Sequence, residues 1–176
     1  MTEDSDQPEY ATPSKAYLRR RLQRMDPYAF EEFVGDVWDH LGWQTRVVGE
    51  RGIDVVATNG DEKQLIQAKR YGPKTTVGSP EVQQYASLRL QEDSVDHVTI
   101  VTTGEFSRQA QELAPDVDVI LVDGEGLLDM LSEIEAYEVF VKHFDDIHLK
   151  SDIDGEVREE GREGTSLFAR LLSWLR

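Results

Sequence analysis

Apolar positions between residues 26 and 41 recur at helical spacing. Phe30, Phe33, Val34, Val37, Trp38 and Leu41 fall at i, i+3, i+4, i+7, i+8 and i+11, one stripe of an amphipathic α-helix. Asp26 followed by Pro27 is a helix start, a capping side chain and then a residue with no N–H to satisfy, and Gly42 ends the run. The rhythm then shortens to strand type. QTRVV (44–48), IDVVAT (53–58) and KQLIQAKRY (63–71) are separated by turn residues at 49–52 and 59–62. A helix is predicted from Ser79-Pro80 to about Gln91. VDHVTIVTT (95–103) and VDVILVD (117–123) are buried-type strands, with a short helix between them that Ser107 caps and that reaches Ala114. A further helix starts near Gly126, and AYEVFVKHF (136–144) reads as a helix packed on the outside. Alternation of strand and helix in the second half implies parallel pairing with crossover helices. The expected fold class is therefore α/β, a mixed β-sheet core flanked by helices on both faces.

The stretch 52–70, GIDVVATNGDEKQLIQAKR, carries candidate chemistry. With residues 59–62 closing a hairpin, Thr58 faces Lys63, partner numbers sum to 121, and Asp54 falls opposite Gln67. Paired residues, and residues two apart, share a face. Asp54, Gln67 and Lys69 then project together, while Ile53, Val55, Ala57, Ile66 and Ala68 form the core side and set the register. The bland alternative is an amphipathic hairpin with a polar solvent face. Against it, Lys69 lies beside apolar neighbours under elements that should cover the sheet, and lysines are rarely buried without a partner. An acid, an amide oxygen and an ammonium so grouped suit phosphodiester hydrolysis. Asp54 and Gln67 supply oxygen ligands for Mg²⁺, with Mn²⁺ as a substitute. The ion polarises the phosphate and acidifies a water. Lys69 orients or helps deprotonate that water and offsets charge on the phosphate.

Composition narrows the classes. The 176 residues suit one domain plus tails, and 39% apolar content is enough for a core. With no cysteine, disulfides and thiolate metal sites are excluded. Of the four histidines, His143 and His148 lie five apart in a helical stretch, off one face, and read as surface residues; His97 reads as structural. The acidic N-terminus has no signal-peptide pattern and no apolar run approaches a membrane span, so a cytoplasmic protein is expected.

The formal charge of −16 runs against a nucleic-acid binder, for which a basic footprint is the usual sign. Two readings compete: no DNA binding, or acidity spread over surfaces away from the site. Six lysines beside thirteen arginines and 35 acidic residues look like a salt-adapted, halophilic protein, which favours the second. One run stands apart. KAYLRRRLQR (15–24) carries five positive charges and no negative one, as either a solvated helix face or a phosphate-contacting patch containing Arg19, Arg20 and Arg21.

At this point the residues resemble a known family. Segments PYAFEEFVGDVWDHLGW, GIDVVA, LIQAKRYG, VGSPEVQQYASL and VTTGEFSRQAQELA, followed by VILVDGEGLLDML, are similar in kind and order to the Mrr-like restriction endonuclease catalytic domain over residues 27–131. That domain belongs to the PD-(D/E)xK nucleases, here as a Gln-x-Lys variant; the tripeptide alone is weak, the ordered series strong. The resemblance implies a restriction-endonuclease-like sheet and a Mg²⁺-dependent deoxyribonuclease. Asp54, Gln67 and Lys69 would be its catalytic residues, joined by Glu31 near the metal. Glu31, next to Phe30, can sit at the helix edge facing the hairpin; an exposed glutamate is the competing reading. Arg70 and Gln84 join the basic run as candidate DNA contacts.

The expected segmentation is a polar, basic extension (1–25), the nuclease domain (26–149), an acidic linker (150–166) and an amphipathic helix (167–176). That last helix docks on the domain or on a second copy, giving a possible homodimer; a membrane-surface helix competes. Relatives that restrict modified DNA carry an N-terminal winged-helix reader, for which 25 residues leave no room. Glu105 stands where the family has small uncharged residues. Restriction-type cleavage of DNA is thus the leading expectation. The alternatives are a structure-selective nuclease such as a Holliday-junction resolvase, and a non-catalytic binding module on a degenerate nuclease fold.

Overall fold

A computed structural model of the chain describes residues 14–50, 52–133 and 136–144. Expectations for the acidic N-terminus, for His148, for the linker and for the C-terminal helix lie outside these residues.

The apolar stripe makes its helix. In α2 (Pro27–His40), Asp26 Oδ1 accepts from the N–H groups of Tyr28 and Ala29 at 2.9 and 3.4 Å, satisfying donors that a helix start leaves orphaned. Phe30, Phe33, Val34, Val37 and Trp38 are all fully buried. The preceding basic run is also a helix, α1 (Lys15–Arg24), capped by the Ser14 hydroxyl and anchored through buried Leu18 and Leu22.

Strands β1 (Gln44–Glu50), β2 (Ile53–Asn59) and β3 (Glu62–Lys69) form an antiparallel meander. The β2–β3 register sums to 121 as expected, running from Val55↔Ile66 to Asn59↔Glu62. It carries one pair further than the four-residue closure assumed from sequence, leaving a two-residue Gly60-Asp61 turn in which Gly60 adopts φ +61°. Strand β3 then pairs in parallel with β5 (His97–Thr102), which pairs in parallel with β7 (Val119–Val122), giving the mixed order β1-β2-β3-β5-β7. A two-residue parallel pair that the pattern did not foretell, β4 (Thr76–Val77) with β6 (Glu105–Phe106), ties the loop after β3 to the loop after β5. Gly104 lies beneath that tie, and a Cβ there would meet Thr75 O at 2.4 Å.

Helices cover both faces. On one, α1, α2, α5 (Gly124–Glu133) and α6 (Tyr137–His143) bury Val55, Ala57, Ile66 and Ala68. On the other, α3 (Ser79–Ala86), its 3₁₀ extension Ser87–Leu90 and α4 (Arg108–Leu113) bury Val56, Leu65, Val98 and Ile100. Ile53 departs from expectation: it packs with Val56 and Leu65 rather than with Val55. A register shift between Val47 and Glu50 breaks the two-residue alternation there. His143 also departs. It is not a surface residue: its Nε2 lies 2.5 Å from Asp36 and its ring stands edge-on to Phe33. Burial alone would raise the Asp36 carboxyl, but bonds from Lys142 and His143 outweigh it and hold it low.

A buried polar chain locks α2 to the sheet. Trp38 Nε1 donates to Gln64 Oε1, and Gln64 Nε2 donates to Thr99 Oγ1 at 2.8 Å. Gln64→Leu keeps the volume but strips both partners of their bonds, so stability in urea titration should fall by roughly 2 to 4 kcal/mol. A loss under about 0.5 kcal/mol, within the range of ordinary surface changes, would refute the locking role.

Candidate active site

Asp54 stands where the β2–β3 ladder gives out. Beyond Val55↔Ile66 its carboxylate replaces a backbone acceptor: Oδ2 takes the Ala68 N–H at 2.8 Å and also the Gln67 side-chain amide. The group is only 8% exposed. Burial raises its pKa, opposed but not cancelled by the Ala68 N–H, Lys69 and Gln67.

Gln67 is 2% exposed, and donating Nε2 to Asp54 turns its Oε1 the other way. That oxygen is buried and accepts no hydrogen bond. A buried acceptor without a donor is costly unless something electropositive meets it. Lys69, two residues on, ends β3 with Nζ 5.2 Å from the ring centre of Tyr85 on α3. Glu31, half-buried in the second turn of α2, completes the group. Its pKa is raised by burial first, then by the charges of Asp54 and Asp26, with Lys69 pulling the other way. Of the two readings of Glu31, the helix edge facing the hairpin is the one observed. All four residues named from sequence are thus brought together.

A buried carboxylate, a second carboxyl group raised in part by its charge, and a buried amide oxygen suit a hard divalent cation with water completing its shell. Among the described residues no cluster of three or more His, Asp or Glu forms a richer site.

The candidate DNA contacts divide. Helix α1 lies against the loops leaving β5 and β7: Gln23 Nε2 donates to Thr103 O at 3.2 Å, and Arg19 reaches Glu105 at 3.6 Å. Arg20 is exposed. Arg70 follows Lys69 with its Nε buried and without a hydrogen-bond partner. Arg21 instead stacks its guanidinium 4.7 Å from the Phe144 ring centre. Gln84 is exposed, and α3 turns Tyr85 toward Lys69 in its place. Tyr85 escaped the sequence reading, since only the packing of α3 across β3 brings it there.

The restriction endonuclease family model Mrr_cat matches residues 22–131, more than half of the chain. The chain is 35% identical over 127 residues to the type IV methyl-directed restriction enzyme EcoKMrr of Escherichia coli strain K12; the match takes in 65% of this chain and 41% of that enzyme. Two solved structures share the fold. The MspJI restriction endonuclease in complex with a 27-mer oligonucleotide superposes with a TM-score of 0.55 at 23% identity, over 75% of this chain and 36% of that one. The DNA modification-dependent restriction endonuclease AspBHI gives 0.56 at 22% identity, over 75% and 41%.

Raised carboxyl pKa values in the folded chain set a sign. Such groups contribute stability below their unfolded values, about 4, and lose it as pH rises through the folded ones. At neutral pH the ionised pair is a cost. Asp54→Asn, which keeps a carbonyl acceptor for Ala68 and Gln67, should therefore melt no lower than wild type in EDTA. It should also lack the melting-temperature gain expected of wild type in MgCl₂ or MnCl₂, a gain that should itself fade as pH is lowered, beginning above the ordinary carboxylate range because both carboxyl groups are raised. A metal-free variant melting well below wild type would contradict this account.

Proposed function

Because the chain belongs to the Mrr_cat restriction endonuclease family, we propose that it is a Mg²⁺-dependent endonuclease hydrolysing DNA phosphodiester bonds, with Mn²⁺ able to substitute. The observation that carries this reading is the unpartnered, buried Oε1 of Gln67 beside the Asp54 carboxylate, on the strand that ends in Lys69.

Asp54, Glu31 and Gln67 Oε1 would hold the cation, whose charge relieves the repulsion between the carboxylates and meets the orphaned oxygen. Bound there, the ion would polarise the scissile phosphate and acidify a water. Lys69 Nζ orients that water and offsets the negative charge that builds on the phosphate oxygens. Water oxygen adds to phosphorus, the bond to the leaving sugar oxygen breaks, and a proton passes to that oxygen. The backbone of the substrate lies along the C-terminal ends of the parallel strands, where open α/β sheets hold their ligands. Arg19, Arg20 and Arg70 supply positive charge at that edge, in a chain whose net charge is −16. Phosphate contacts from these three position the duplex without reading its sequence.

Supercoiled plasmid, linear duplex and a four-way junction, incubated with Mg²⁺ or Mn²⁺ at low and high KCl, test the reading. Wild type should nick plasmid, with Asp54→Ala and Lys69→Ala each slower by at least about a hundredfold. Cutting confined to the junction would indicate a structure-selective nuclease. DNA binding without any cutting would indicate a non-catalytic module and refute the proposal.

A further inference from the structure

We propose that Tyr85 is a positioning residue for Lys69: its ring holds the ammonium away from Asp54 and Glu31, leaving the carboxylate oxygens open to a cation. This rests on the hydrolytic reading above and goes beyond it.

Lys69 faces a choice of partners. Its charge acts on both Asp54 and Glu31, yet among the described residues no ion pair within 4.0 Å joins its Nζ to either one. A flexible ammonium beside two anions would be expected to collapse onto them, using the lone pairs a hard cation needs. Instead Nζ sits 5.2 Å from the Tyr85 ring centre, inside the roughly 6 Å reach of a cation–π contact. The ring is 9% exposed and packed in the apolar layer with Val82 and Leu88, so water competes poorly for that face.

The ring's place is set by matched spacings. Lys69 and Tyr71, two apart at the exit of β3, meet Tyr85 and Glu81, four apart on α3. The Tyr71 hydroxyl donates to Glu81 Oε1 at 3.1 Å, and Glu81 Oε2 accepts from Gly78 N at 2.9 Å. Burial, with Glu81 beside it, pushes Tyr71 up to about 12, so its hydroxyl stays a donor and adds no charge next to Lys69. One end of α3 is thereby pinned to the strand, and the next inward turn delivers the aromatic face to Lys69. The function assigned to Tyr85 lies in the ring and not in its hydroxyl.

Carbon–proton spectra of the metal-free protein and kinetics of plasmid nicking in Mg²⁺ test this together. Lys69 is one of six lysines, and its ε-methylene should be displaced upfield by the ring current in wild type and in Tyr85→Phe, and return to the common lysine position in Tyr85→Leu. Tyr85→Phe should keep kcat within about threefold of wild type, whereas Tyr85→Leu should lose roughly ten- to a hundredfold in kcat with KM for DNA unchanged. A wild-type Lys69 signal at the common position overturns the inference whether or not the leucine variant folds. So does Tyr85→Leu turning over at the wild-type kcat. A wild type that cuts no DNA sinks the hydrolytic reading and this inference with it; an active wild type with an unaffected leucine variant sinks the inference alone.

Discussion

The bond between the Asp54 carboxylate and the backbone N–H of Ala68 is the interaction on which the site depends. Where the antiparallel ladder stops, a buried N–H on β3 must find another acceptor, because an unpaired one costs as much as a lost hydrogen bond. Asp54 supplies it. The same oxygen receives the Gln67 amide, and that second bond fixes the side chain with its Oε1 buried and without a hydrogen-bond donor. One carboxylate thus both completes the sheet's hydrogen bonding and fixes the Gln67 side chain, so Asp54 and Gln67 share a geometry without a separate scaffold.

That economy leaves electrostatic tension. Asp54 and Glu31 are both held above their ordinary values, burial being the first cause in each. Lys69 offsets part of the repulsion from the direction of α3. The remainder is a stability cost at neutral pH of the kind active sites commonly carry. Rigid support comes from behind: the buried stripe of α2 and the chain from Trp38 through Gln64 to Thr99 hold that helix against the sheet. Glu31 is thereby fixed one residue along from fully buried Phe30.

Charge is unevenly employed around this centre. Within the basic helix, Lys15 pairs with Asp129, Arg19 with Glu105, and Arg21 with the Phe144 ring, while Arg20 and Arg24 are exposed. The run that looked from composition like either a solvated face or a phosphate patch is first a packed helix, through Leu18 and Leu22. Only part of its charge is at the surface. No helix among the described residues is long and apolar enough to cross a membrane.

Much of this was legible in the sequence because it rests on local rules. Helix α2 follows from Asp26-Pro27 and a 3.6-residue stripe. The hairpin register follows from a turn and a two-residue period, and with it the meeting of Asp54 and Gln67. Periodicity is a property of consecutive residues, so a single chain displays it. What it could not display was where separately predicted elements touch. The packing of α3 across β3 decided that Tyr85, not Gln84, faces Lys69, and the docking of α6 on α2 turned His143 from a surface residue into the partner of Asp36. The bulge before β2 sent Ile53 to the other layer. Those outcomes depend on distances between elements far apart in the chain, which are set only when two apolar faces close on one sheet.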